Sequence, residues 1–234
     1  MFRNLTTFLL LTLFLVGCGP KVEPSTDLFD IETQLGTITV RLYENTPLHA
    51  ENFRKLVSEN FYDGTLLHRV IPRFMVQGGD PNSKDGNPMN NGIGGPGYTV
   101  PAELRPEYFH KRGALAAARR PNNPEKASSG SQFYLVSGRA YADAELDQIE
   151  EHYSNQSGQP FKFPAEHREI YTTVGGAPLL DTQYTVYGEI VEGLEVLDAI
   201  SRVSTPNTRG DATTPVLGDQ PNDPLPMVIR PANR

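Results

Sequence analysis

A single cysteine, Cys18, occurs in the 234 residues, so no disulfide can form within the chain and none can staple its fold. Tryptophan is absent altogether. Positive charge is in deficit: 21 Lys and Arg stand against 28 Asp and Glu, a formal net charge of −7. That balance argues against nucleic acid as a partner, and against attachment to an anionic membrane through a basic patch. Long apolar runs are missing too, with one exception. Phe8 to Val16 is almost wholly apolar, follows Arg3, and is too short to span a bilayer as a mature helix.

That exception has the layout of a secretory leader, and it ends in Leu15-Val16-Gly17-Cys18. The ending resembles a bacterial lipobox, in which the cysteine is lipidated and becomes the new N-terminus. The expectation is a leader over residues 1–17, lipidation at Cys18 and a Pro-containing tether over 18–27. The rival expectation is a plain secreted protein in which Cys18 is incidental. Acyl chains anchor without spanning. Gly19, rather than an acid, follows the cysteine; by resemblance to bacterial sorting this favours the outer membrane, facing the periplasm. The leader carries Arg3 and no acid, so the mature chain would be more acidic still.

The rest is long enough for one domain with a sizeable core, 28–234. Phe29–Thr33 and Thr37–Leu42 alternate with period 2 around Gly36 and predict a hairpin. Thr46-Pro47 predicts a helix start with Thr46 as N-cap, and Phe53, Leu56 and Val57 share its inner face. Residues 82–97 are rich in Gly, Asn and Pro and predict a loop; the glycines there lack the Lys-Ser/Thr of a phosphate loop. Gly113 to Ala118 is small and apolar, a buried strand that cannot block a groove. Gln132–Val136, Tyr184–Tyr187 and Leu225–Arg230 predict further strands, and Leu194, Leu197 and Ile200 a second helix. Many short strands with two helices indicate an all-β domain.

The densest chemistry lies in Leu67-His68-Arg69-Val70-Ile71-Pro72-Arg73-Phe74-Met75-Val76-Gln77-Gly78-Gly79-Asp80. If Phe74 to Gln77 is a strand, Met75 and Gln77 share a face and Phe74 points the other way. A bend at Pro72 can bring Arg69 back to them. The product is an apolar pocket with a guanidinium and an amide at its rim. It contains no Ser or Cys nucleophile, so hydrolysis is not its chemistry; a proline-like guest and a polarised amide suit it.

This run resembles the active-site motif of the cyclophilins, the cyclophilin-type peptidyl-prolyl cis–trans isomerases. Two further blocks follow in that family's order: Arg112–Arg119 with Gly130–Val136, and Leu180–Leu194. The resemblance implies a closed eight-stranded antiparallel barrel with two capping helices. It implies Arg69 as the catalytic cation. Gln77 would hold the substrate carbonyl or orient Arg69. Phe74, Met75, Tyr134 and Leu180 would form the proline pocket, with Ala118, Arg119, Gln132 and Tyr184 along the groove. Tyr134 stands where the family commonly has Phe, Tyr184 where it often has His, and Leu179 where a Trp is linked to tight cyclosporin binding. The implied partners are proline-containing unfolded or flexible polypeptides, served by a monomer.

Such an enzyme needs no nucleophile, metal or cofactor. The amide barrier, about 18–20 kcal/mol, is loss of C–N resonance. Preferential binding of the twisted amide lowers it. The alternative is a non-catalytic cyclophilin-fold chaperone or proline-peptide binding module, which loss of the arginine would favour; Arg69 is present.

One stretch, about 139–178, exceeds the family's short link. Asp143 can cap a helix with Leu146, Ile149 and Tyr153 on one face. Pro164 can open a second, with Ile170 and Val174 inward and Gly175-Gly176 as its stop. The stretch reads as a helical hairpin, either walling the groove or decorating the surface. His152, Glu166, His167 and Glu169 match no zinc spacing and read as solvated helix faces.

Overall fold

The computed structural model describes residues 27–210 and 218–232. The leader, Cys18 and most of the tether lie outside them. Eleven strands, in chain order, are β1 (Leu28–Thr33), β2 (Gly36–Leu42), β3 (Thr65–Leu66), β4 (Arg69–Ile71), β5 (Met75–Gly78), β6 (Thr99–Val100), β7 (Ala114–Ala117), β8 (Ser128–Ser129), β9 (Phe133–Val136), β10 (Val186–Glu192) and β11 (Pro226–Pro231). Among the described residues four α-helices join them: α1 (Pro47–Ser58), α2 (Asp143–Ser157), α3 (Ala165–Thr173) and α4 (Leu194–Ser201). Nine strands form one curled antiparallel sheet in the order β3-β11-β1-β2-β10-β7-β9-β5-β4; β6 and β8 pair separately.

The expected closed ring of eight strands is therefore replaced by an open, nine-stranded sheet. The two end strands, β3 and β4, are separated in sequence only by Leu67 and His68. One extended segment thus pairs with β11 at its start and with β5 at its end. No ladder joins β3 to β4.

Period-2 alternation sorts side chains onto two faces where the site lies. Val76, Leu115, Phe133 and Leu135 enter the main core. Met75, Ala114, Ala116, Tyr134 and Val136 enter a second cluster on the opposite face. Both faces of β5, β7 and β9 are thereby covered. Ala116 lies opposite Tyr134 in the register, so its small side chain leaves room for the ring.

Helix α1 buries Phe53, Leu56 and Val57 in the main core, as the spacing predicts, and α4 buries Leu197 and Ile200 there. The cap of α1 differs from expectation. Thr46 occupies the N-cap position, but its hydroxyl donates to the Tyr43 carbonyl. The free N–H groups of Leu48 and His49 instead donate to the Glu103 carboxylate at 3.1 and 3.0 Å. A long-range acid takes the place of the local cap because it serves two amides and the His49 ring together.

The insert is a helical hairpin with its own small core of Leu146, Ile149, Tyr153, Phe163 and Tyr171. The inward face of α3 differs from the sequence reading. Ile170 is half-buried and Val174 is exposed; His167 and Tyr171 point inward. Both find specific partners. The His167 ring stacks on Phe109 with centroids 3.7 Å apart, and the Tyr171 hydroxyl donates to Asp181. His167 is thus not on a solvated face. Asp143 does not cap α2; the Glu145 carboxylate accepts from the Ala142 N–H. The hydrogen bond from Arg139 to Glu145 holds that carboxyl down to about 2. At the neck, Arg139 and Gly176 exchange backbone hydrogen bonds. A Cβ on Gly176 would lie 2.2 Å from the His110 carbonyl oxygen, so only glycine fits.

Candidate active site

The site grows from the β4–β5 hairpin. Pro72 and Arg73 form its tip, with the Phe74 N–H donating to the Ile71 carbonyl at 3.1 Å. Proline presets the first corner, and Arg73 takes the left-handed second corner at φ 61°. The tight turn sets the register: Arg69 faces Gln77, and Ile71 faces Met75. Arg69, Met75 and Gln77 consequently share one face. Phe74 falls in the turn, outside the strand, where period 2 does not apply. It therefore joins the same pocket instead of pointing away.

One concave pocket on the outer face is lined by Arg69, Phe74, Met75, Gln77, Ala118, Arg119, Tyr134, Leu180 and Tyr184. Nine of the side chains singled out in the sequence come together there. Gln132 does not line it. It lies buried behind Gln77, whose Nε2 donates to its Oε1 at 2.9 Å. The Gln132 Nε2 in turn donates to the carbonyls of Gly92 and Gly94, fastening the glycine-rich loop to the sheet.

The apolar floor is Phe74, Met75, Tyr134 and Leu180; the polar rim is Arg69, Gln77 and Arg119. The Arg69 side chain is 45% exposed, and its Nε donates to the Asp219 Oδ2 at 3.2 Å. Gln77 bonds Gln132, so the carboxylate of Asp219, not the amide of Gln77, is the group bonded to the guanidinium. The Arg119 Nε donates to the Gln183 carbonyl, and its Cζ sits 4.8 Å from the centre of the Tyr184 ring. That contact pins Tyr184 edge-on to Tyr134, with centroids 6.0 Å apart. His68, beside Arg69, is buried, and burial lowers it from its ordinary range against the opposing pull of Asp80.

Beneath the floor runs a buried polar chain that sequence reasoning missed. The Tyr134 hydroxyl lies 2.8 Å from the His110 Nε2. The His110 Nδ1 lies 2.8 Å from the Asp181 Oδ1, which also accepts the His110 N–H. The carboxylate can only accept, so in the neutral ring Nδ1 carries the proton and Nε2 accepts the tyrosine O–H. Tyr171 of α3 donates to the Asp181 Oδ2 at 2.6 Å, and Tyr153 of α2 to the Asp181 carbonyl at 2.9 Å. Burial raises both Tyr134 and Tyr171 well above the ordinary phenol range, so both remain donors. Asp181 falls inside the third motif block, but His110 and Asp219 carry no local signal. Among the described residues no cluster of His, Cys, Asp or Glu is arranged to hold a metal ion.

The arrangement offers an apolar slot beside an exposed, anchored cation. The sequence profile of the cyclophilin-type peptidyl-prolyl cis–trans isomerase/CLD family matches residues 28–217. A Streptococcus pyogenes protein, named as a bifunctional phosphatase/peptidyl-prolyl cis–trans isomerase, is 35% identical over 195 residues; the match covers 80% of this chain and only 35% of that protein. A Staphylococcus epidermidis protein named as a peptidyl-prolyl cis–trans isomerase is 33% identical over 175 residues, covering 73% of this chain and 79% of that one. Among solved structures, a Cryptosporidium parvum cyclophilin-type isomerase crystallised in the presence of the dipeptide Ala-Pro superposes with a TM-score of 0.61 at 21% identity, covering 88% of this chain and 99% of that one. The fold, the matched family profile and these relatives agree: the chain belongs to the cyclophilin-type peptidyl-prolyl cis–trans isomerases.

Proposed function

We propose that this isomerase seats the proline of an X-Pro segment on Phe74, Met75, Tyr134 and Leu180, and that Arg69 is the group that lowers the barrier. When the C–N bond twists, conjugation is lost and the proline nitrogen regains a lone pair. A fixed cation aimed at that nitrogen, or at the carbonyl as it swings, stabilises the twisted state more than either planar form. Guanidinium suits the task because it stays charged and presents rigid N–H forks. In this reading Gln77, steadied by Gln132, donates to the substrate carbonyl. Ala118 and Arg119 border the strip along which the peptide lies. Asp219 acts on the chemistry only through Arg69, as a positioning residue.

The observation that supports this most is the convergence of nine side chains, from four separate stretches of the chain, on one pocket with Arg69 at its rim. The test is a protease-coupled assay on prolyl peptides. Arg69→Ala should lower kcat/KM by on the order of 10²–10³, as for loss of one preorganised donor. An unchanged rate would overturn the role given to Arg69.

The substrates in this proposal are proline-containing unfolded or flexible polypeptides of the cell envelope, served by a monomer held to the membrane through lipid on Cys18. The leader pattern and the position of the sole cysteine support the anchor. Among the described residues no helix is long and apolar enough to cross a membrane. Fatty-acid labelling should mark the wild type and not Cys18→Ser. A full-length protein that takes up no label would overturn the anchor.

A further inference from the structure

A second concavity adjoins the proline pocket, and the helical insert builds half of it. One wall is the segment Leu104–Phe109; the other is Phe161–Pro164 with His167; Asp181, Thr182 and Tyr184 close the near end. Tyr184 lines both concavities, and Leu180 of the pocket is followed directly by Asp181 of the groove. The Tyr184 ring, clamped by Arg119, is the partition between them.

The groove is apolar and aromatic. Phe161 and Phe163 meet edge to face at 5.1 Å, and Phe109 is held flat by His167. Pro106 and Pro164 add rigid faces without backbone donors, and Leu104 remains 37% exposed. Arg105 and Lys162 stand at the rim, and the Lys162 side chain is 75% exposed. Rings of this kind favour another aromatic side chain in edge or offset contact; Lys162 is paired with Glu150, so Arg105 is the rim cation that disfavours Lys or Arg.

Resting on the reading of the first pocket as the proline site, we propose that this groove is a substrate subsite. It takes a large apolar or aromatic side chain of the same polypeptide, two or three residues from the proline. At about 3.3 Å per residue, that much extended chain crosses the edge of the Tyr184 ring. Continuity decides the occupant: a chain seated beside Tyr184 in the first pocket is at the mouth of the second. The substrate class follows from chemistry. A proline with an aromatic neighbour presents both groups chiefly where the chain is unfolded, because folding buries most aromatic side chains. The insert thereby turns a general prolyl isomerase towards unfolded segments rich in aromatic residues.

The test uses the full chain and peptides with a central Ala-Pro. Gly, Phe or Lys is placed in turn at each of the three positions on either side, and isomerisation is followed by NMR exchange without a protease. The expected result is one position at which Phe exceeds Gly by on the order of tenfold in kcat/KM, carried by KM, with Lys no better than Gly. Phe161→Ser should bring that Phe-to-Gly ratio towards one. Leu104→Ser, which changes an exposed side chain and leaves the insert core intact, should do the same to a smaller degree. Peptides isomerised equally whatever the neighbour would overturn the subsite and leave the proline pocket standing. So would a Phe-to-Gly ratio that survives both substitutions. Isomerisation of none of the peptides would overturn the pocket reading and the subsite with it.

Discussion

The Tyr134 hydroxyl stands 2.8 Å from the His110 Nε2, and through Asp181 that contact links the floor of the proposed proline pocket to both helices of the insert. The pocket keeps an aromatic ring at this position and gives its oxygen a buried partner. The same polar chain supplies Asp181 with donors from the His110 backbone, the His110 ring and Tyr171.

Tyr134→Phe should therefore separate the ring from the hydroxyl. The ring still packs in the pocket, so kcat/KM on small prolyl peptides should fall less than about tenfold. The His110 Nε2 loses its partner in a buried site, which costs about 1–3 kcal/mol of stability. Urea unfolding of the variant checks the second value. An unchanged midpoint would show that the bond adds nothing net.

Asp219→Asn removes the anion that holds the Arg69 Nε. Both side chains are partly exposed, so the ion pair adds little to stability and unfolding should be unaffected. Catalysis should suffer by on the order of tenfold, in kcat more than in KM, and by clearly less than in Arg69→Ala. Steady-state rates for the two variants side by side decide whether Asp219 positions the guanidinium.

Glu103→Ala strips α1 of the acceptor for two N–H groups and leaves the His49 ring without its carboxylate. The loss of a helix cap and of a buried hydrogen bond should together cost about 2 kcal/mol. For a domain of this size that lowers Tm by about 4–8 °C. Calorimetry with the Arg69→Ala protein as a surface control is the measurement.

Acid should weaken the fold from about pH 6.5 downward, through buried histidines. Burial holds His49, His68 and His167 below their ordinary value of 6.5; Glu103 opposes this at His49, and Asp80 at His68. With the folded values lowered, the unfolded chain binds more protons just below pH 6.5. Stability is full above that point and falls as pH drops from it towards the folded values. Paired carboxylates such as Glu145 and Asp63 are shifted downward, so their contribution is lost only below their ordinary values of 4.5 and 3.8. Urea midpoints at pH 8, 6.5 and 5.5 should decline across the histidine window. His167→Phe, which keeps the stack on Phe109, should flatten that decline.

Several elements were legible because they depend on neighbours in sequence. Alternation in Phe29–Leu42, the proline bend at Pro72 and the small residues Ala114–Ala117 each dictate a local geometry. The resemblance in three ordered blocks then named the side chains that the structure gathers in one pocket. The errors fell where a local rule met a distant partner. Thr46 is a sound cap by type, yet Glu103 caps α1. Ile170 in α3 and Val174 just past its end are the apolar residues that the spacing selects, yet His167 and Tyr171 turn inward, drawn by Phe109 and Asp181.

By itself, then, the sequence determined the longer strands, the bend at Pro72 that turns Arg69 back towards Gln77 and, through the family resemblance, nine of the side chains that line the pocket. Pleating and turn chemistry act over a few residues. Only the tertiary structure decided which acid holds Arg69, what lies beneath Tyr134, and where the insert leans. The Arg69–Asp219 pair spans 150 positions and the His110–Asp181 pair 71. The first pair meets where the segment before β11 crosses β4, whose Val70 N–H donates to the Asp219 carbonyl, and the second at the neck of the insert, where Gly176 lies against the His110 carbonyl. No local periodicity encodes the order of strands; burial of the two faces of the sheet enforces it.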